Sequence, residues 1–60
     1  MRLTHYWTVD FGIFVKYRVI ASDLAEAIEN ATQVFKQVHP DQSNAIVKIE
    51  KGIEIWVKEN

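Results

Sequence analysis

Residues 3 to 20 alternate between two sets of side chains, and the alternation breaks once, at Asp10-Phe11-Gly12. Leu3, His5, Trp7, Val9, Ile13, Val15, Tyr17 and Val19 take odd positions, and Thr4, Tyr6, Thr8, Phe14, Lys16, Arg18 and Ile20 take even ones. A period of two marks a half-buried β-strand, so the spacing predicts a hairpin over residues 2–20. A two-residue turn at Phe11-Gly12 would set Trp7 against Lys16. Directly opposed residues share a face, so that register mixes core with surface. A three-residue loop at Asp10-Phe11-Gly12 instead pairs Val9 with Ile13, Trp7 with Val15, His5 with Tyr17 and Leu3 with Val19. It also puts Gly12 where a left-handed residue is needed.

The same arithmetic predicts a second hairpin over residues 45–58. Val47, Ile49, Ile53, Ile55 and Val57 take odd positions around Glu50-Lys51-Gly52, again three residues ending in Gly. That loop pairs Ile49 with Ile53, Val47 with Ile55 and Ala45 with Val57. On the other face it sets Lys48 against Glu54 and Ile46 against Trp56.

Between the hairpins the period changes. Leu24, Ile28, Ala31, Phe35 and Val38 recur at helical spacing, widened by Ala27 and Val34, so residues 22–38 read as an amphipathic helix. Ser22 or Asp23 caps its start, and Asp23 with Glu26 has capping-box spacing. Pro40 ends it. The expectation is one α+β domain over residues 1–60. Its arrangement is ββαββ, a four-stranded sheet with one helix packed on one face. The pattern leaves strand order open.

The even face of that sheet is the informative surface. It carries Tyr6, Phe14, Ile20, Ile46 and Trp56 among Lys16, Arg18, Lys48 and other basic residues, where a solvated face should be polar. Apolar patches mark partner sites, and Tyr, Trp and Arg dominate interface energetics. Tyr6, Phe14, Lys16, Arg18, Ile46, Lys48 and Trp56 are therefore the candidate partner-binding residues. Two occupants fit them: a second copy of the chain or another protein, or a single-stranded nucleic acid stacked on the aromatics. The formal net charge of −1 counts against a generic polyanion binder.

Nothing in the sequence assembles an active site. Sixty residues without Cys offer no disulfide and no thiolate ligand, and His5 and His39 have no ligand spacing. Ser22 and Ser43 lack a placed His/Asp partner. Gly12 and Gly52 are both used in hairpins, so no phosphate loop remains. The reading is a protein without enzymatic activity, metal or cofactor. No apolar run is long enough for a bilayer, and none follows Met1-Arg2-Leu3-Thr4-His5 to make a signal peptide. The expected location is the cytoplasm.

Two resemblances bear on this. His39-Pro40-Asp41 after an amphipathic helix resembles the J-domain tripeptide of Hsp70 co-chaperones. A J-domain needs a basic helix face and a second long helix, whereas this helix carries Glu26 and Glu29 and is followed by a strand-rich segment. The tripeptide therefore reads as a helix stop. The stretch from Tyr17 to Ala31, in which a strand ends at Ala21-Ser22-Asp23 and an Ala/Glu/Ile-patterned helix begins, resembles small hairpin-helix proteins of phages and mobile elements. These include the DpnD/PcfM-like and HicB-like groups. That resemblance implies a phage- or plasmid-encoded accessory protein and carries over no functional residue. The expected function is a small, homodimeric protein-interaction module that modulates another protein. The alternative is a single-stranded nucleic-acid binder.

Overall fold

The computed structural model describes residues 1–12, 15–43 and 45–58. It contains β1 (Arg2–Gly12), β2 (Val15–Ala21), α1 (Leu24–Val38) and β3 (Lys48–Val57). The sheet is antiparallel, with order β2-β1-β3. The class is α+β as expected, but the sheet has three strands, not four.

The missing strand is the second hairpin. Residues 48 to 57 form one strand that runs straight through Glu50-Lys51-Gly52 and pairs with β1 from Asp10↔Lys48 to Arg2↔Val57. The physical reason is the length of β1. An 11-residue central strand offers β3 a full-length partner, whereas a hairpin folded on itself would have had two short arms. Gly52 is needed for a different purpose than a turn. The register shifts between His5↔Glu54 and Trp7↔Lys51, so Gly52 and Ile53 together oppose Tyr6 in a β-bulge. A Cβ on Gly52 would lie 3.0 Å from the Tyr6 carbonyl oxygen, so the close approach of two backbones requires glycine there.

The first hairpin forms in a different register. Trp7 pairs with Val19, Val9 with Tyr17 and His5 with Ala21. Each partner lies four residues further along than the three-residue loop predicts. The shift is even, so the paired side chains keep their faces. Asp10-Phe11-Gly12 is a bulge inside β1 and not the turn, since Phe11 is the extra residue between Asp10↔Lys16 and Gly12↔Val15. Gly12 has the left-handed backbone (φ 76°), and its N–H donates to Asp10 Oδ1 at 2.8 Å. Phe11 is the cause. At a turn tip its ring would sit in water. Inside β1 it is buried and stacks on Phe35, with centroids 4.6 Å apart and planes at 26°. Burying such a side chain stabilises by roughly 1.5–3 kcal/mol.

The helix starts at a capping box. Asp23 Oδ1 accepts from the Glu26 N–H at 2.8 Å, and Glu26 Oε1 accepts from the N–H of Ser22, one residue before the cap, at 3.3 Å. It ends where Pro40 predicts, with the His39 N–H donating to the Phe35 carbonyl at 2.7 Å. Its buried residues are Ala27, Ala31 and Phe35, a narrower stripe than the sequence pattern offers, while Leu24, Ile28 and Val38 stay exposed. Ala31 and Phe35 meet Val9 and Phe11. Ala27 meets Trp7 and Ala21. The helix thus runs alongside the strands, with its C-terminal half over Phe11 and its start over Trp7. Trp7 Nε1 donates to the Ala21 carbonyl at 2.9 Å, so its one polar atom is paired.

Lengths do not match. Eleven residues of strand span about 36 Å and fifteen of helix about 22 Å, against a longest molecular dimension of 37 Å. Leu3 lies four residues beyond Trp7, past the start of the helix, and is exposed.

Phe35→Ala is expected to cost about 3–5 kcal/mol by urea denaturation. That is as much as a domain of this size usually has. NMR should give cross-strand contacts between Thr4 and Ile55 and between Val9 and Ile49, and none between Lys48 and Glu54.

Candidate functional site

The bulge at Gly52–Ile53 decides which side chains share a surface. Along β1, Trp7 and Val9 face the helix, so Tyr6, Thr8 and Asp10 face away. Register then places Arg18 beside Thr8 and Ile20 beside Tyr6, with Lys16 and Lys48 on either side of Asp10. An open hollow of about 250 Å³ lies on this face, lined by Tyr6, Thr8, Arg18, Gly52 and Ile53. Its floor is the backbone of Gly52, where a side chain would meet Tyr6.

Four of the seven candidate residues are brought to this uncovered face: Tyr6, Lys16, Arg18 and Lys48. Phe14 lies outside the described residues. The other two are elsewhere. Ile46 packs on the cluster of Val9, Phe11, Ala31 and Phe35, so it belongs to the core side. Trp56 pairs with Leu3 and so shares a side with Trp7 and not with Tyr6. The reason is the bulge. One extra residue at Gly52–Ile53 reverses the alternation, and the even residues beyond it turn to the helix side. Trp56 lies past the end of the helix there and is 60% exposed.

The charges of the uncovered face are largely matched. Lys48 Nζ lies 3.0 Å from Glu50 Oε1, and Lys16 and Lys48 both neighbour Asp10. The Arg18 guanidinium sits 5.6 Å from the centre of the Tyr6 ring. It occupies the ring face that a stacked base would need.

Residues that the sequence pattern assigned to the core emerge as surface. Val47 and Ile53 are each 70% exposed. Ile53 and Trp56 are the exposed large apolar side chains of β3, and Val47 immediately precedes it. The cause is the length of β1, which offers a second pairing edge. Lys51, expected at a turn tip, lies opposite Trp7 with its Nζ 5.9 Å from that ring.

Ser22 Oγ and His5 Nδ1 are both buried and both lack a hydrogen-bond partner, so the serine hydroxyl has no base on it. Glu26 accepts from the Ser22 backbone N–H and lies 3.7 Å from the Arg2 guanidinium. His39 lies against Phe35. Among the described residues no three His, Asp or Glu side chains converge to hold a metal ion, and no helix is long and apolar enough to cross a membrane.

No family model, curated protein or solved structure matches the chain.

The two tryptophans should differ in solution. In dilute protein, acrylamide quenching should reach Trp56 readily and spare Trp7, which is 8% exposed. In Trp56→Phe the remaining emission should be blue-shifted and resist quenching. Easy quenching of that variant would place Trp7 outside the core.

Proposed function

We propose that this protein is a small, non-enzymatic protein-interaction module that forms a homodimer and acts by binding another protein. The observation that carries the reading is the pair of exposed apolar side chains on β3, Ile53 and Trp56. These lie on an edge strand, where backbone groups are free to pair. Edge strands with apolar side chains recruit a further strand, the main chain giving affinity and alternate side chains giving specificity. The uncovered face of the sheet, with Tyr6, Lys16, Arg18 and Lys48, is available to the second partner. The resemblance of residues 17 to 31 to phage and mobile-element proteins adds a setting in which small modulators of host proteins are common.

Binding of single-stranded nucleic acid is the less supported reading. It needs stacking faces and unneutralised cations. The Tyr6 ring already faces Arg18, and the lysines of that surface have carboxylate neighbours.

Sedimentation velocity over a concentration series tests the main reading. A sedimentation coefficient that rises from monomer to dimer is expected, and a chain still monomeric at high micromolar concentration would refute it. Titration of labelled single strands at low salt should show no binding. Salt-sensitive binding would favour the second reading instead.

A further inference from the structure

The two edges of the sheet are not alike. Along β2 the helix supplies a partner, since the Asn30 side-chain amide donates to the Ile20 carbonyl at 3.2 Å. β3 pairs only with β1. Its two halves differ as well. Lys48, Glu50 and Lys51 put charge on the first half, and the bulge at Gly52–Ile53 bends it, both of which deter strand pairing. The second half, Ile53-Glu54-Ile55-Trp56-Val57, is regular against β1 from His5↔Glu54 to Arg2↔Val57 and carries one charge.

The backbone polarity of this half follows from Thr4. Thr4 Oγ1 donates to the Ile55 carbonyl at 2.6 Å, which places that carbonyl on the β1 side. Alternation along an antiparallel strand then turns the N–H and C=O of Glu54 and Trp56 to the free edge, with those of Lys58 next in line.

We infer that two copies of this chain pair antiparallel through the second half of β3, centred on Trp56, to make one continuous six-stranded sheet. The inference rests on the homodimer reading above and assigns its interface. Cross-strand matching selects the register. Centring on Glu54 sets two carboxylates against each other, and centring on Lys58 sets two ammonium groups together. Centring on Ile55 puts the Glu54 carboxylate on the negative face of the second copy's Trp56 ring. Centring on Val57 leaves Glu54 with no basic neighbour. Centring on Trp56 stacks the two indoles, sets Glu54 against the second copy's Lys58 and Ile55 against its Val57. Every pair is then like with like in polarity or opposite in charge.

Faces agree too. Trp56 and Glu54 lie on the helix side, so a two-fold axis perpendicular to the sheet keeps both helices on one side. The Trp56 pair then lies between them, over the end of the sheet that neither helix covers. The strand order becomes β2-β1-β3-β3-β1-β2.

A charge swap tests the register. Glu54 and Lys58 are exposed, so Glu54→Lys and Lys58→Glu should leave the circular dichroism spectrum unchanged. Each alone places like charges in both symmetry-related pairs and should weaken the dimer by about tenfold. The double variant should recover wild-type association. So should an equimolar mixture of the two single variants, which restores both opposite-charge pairs as a heterodimer. In the heterodimer of Glu54→Lys with Lys36→Glu, matched in net charge but not in position, one of the two pairs stays like-charged, so its affinity should fall between that of the Glu54→Lys homodimer and that of the wild type. A wild type that stays monomeric overturns this inference together with the homodimer reading. A wild type that dimerises while the swap has no effect, or while the Lys36→Glu mixture recovers equally, overturns the edge register and leaves the homodimer standing.

Discussion

The contact between Phe11 and Phe35 sets the rest of the molecule. Phe35 is the largest fully buried side chain of the helix, and Phe11 is the aromatic that stacks on it. To reach it, β1 must continue past Asp10 through a bulge that keeps Phe11 on the helix side. That continuation makes β1 11 residues long. A long central strand has two usable edges, and the second is taken by β3 along its whole length. The absence of a second hairpin is therefore a consequence, at the far end of the chain, of where one phenylalanine is buried.

Much of this was legible in the sequence. The alternation put Trp7, Val9, Val15, Tyr17 and Val19 on the right face because face depends only on parity, and the true register differs by an even number. The Ser22-to-Val38 periodicity gave the helix and its cap. The strand count was not legible. A three-residue loop ending in Gly and a bulge containing Gly draw on the same residue types, since both need a backbone without Cβ interference. Asp10-Phe11-Gly12 and Glu50-Lys51-Gly52 are bulge and strand, not turns. What separates the readings is tertiary: whether a long strand is available to pair with. Local pattern does not contain that information.

The candidate site failed along the same line. Tyr6, Lys16, Arg18 and Lys48 were placed on the uncovered face by parity within β1, β2 and the first half of β3, and there they are. Trp56 was placed by parity carried across Gly52, where one extra residue reverses it. Ile46 precedes β3, so strand alternation does not govern it, and it turns to the core. A single bulge thus moved the most exposed aromatic among the described residues from one face of the sheet to the other.

That displacement matters because the core is small. Of the seven buried apolar residues among those described, Ala21, Ala27 and Ala31 are alanines, which let the helix approach the sheet closely but bury little surface. A full side chain's burial is worth roughly 1.5–3 kcal/mol, so Val47, Ile53 and Trp56 together hold as much unused hydrophobic stabilisation as several core residues supply. Three strands span only about 10 Å between their outer members, and one helix of about 22 Å cannot cover a sheet of that width and some 36 Å in length. Its own Leu24, Ile28 and Val38 remain exposed as well. Strand addition at β3 widens the sheet without requiring any rearrangement of the helix, and it uses backbone groups that already point outward. The same geometry that leaves the fold thinly covered also leaves its second-half edge unprotected, and both deficits lie at Trp56.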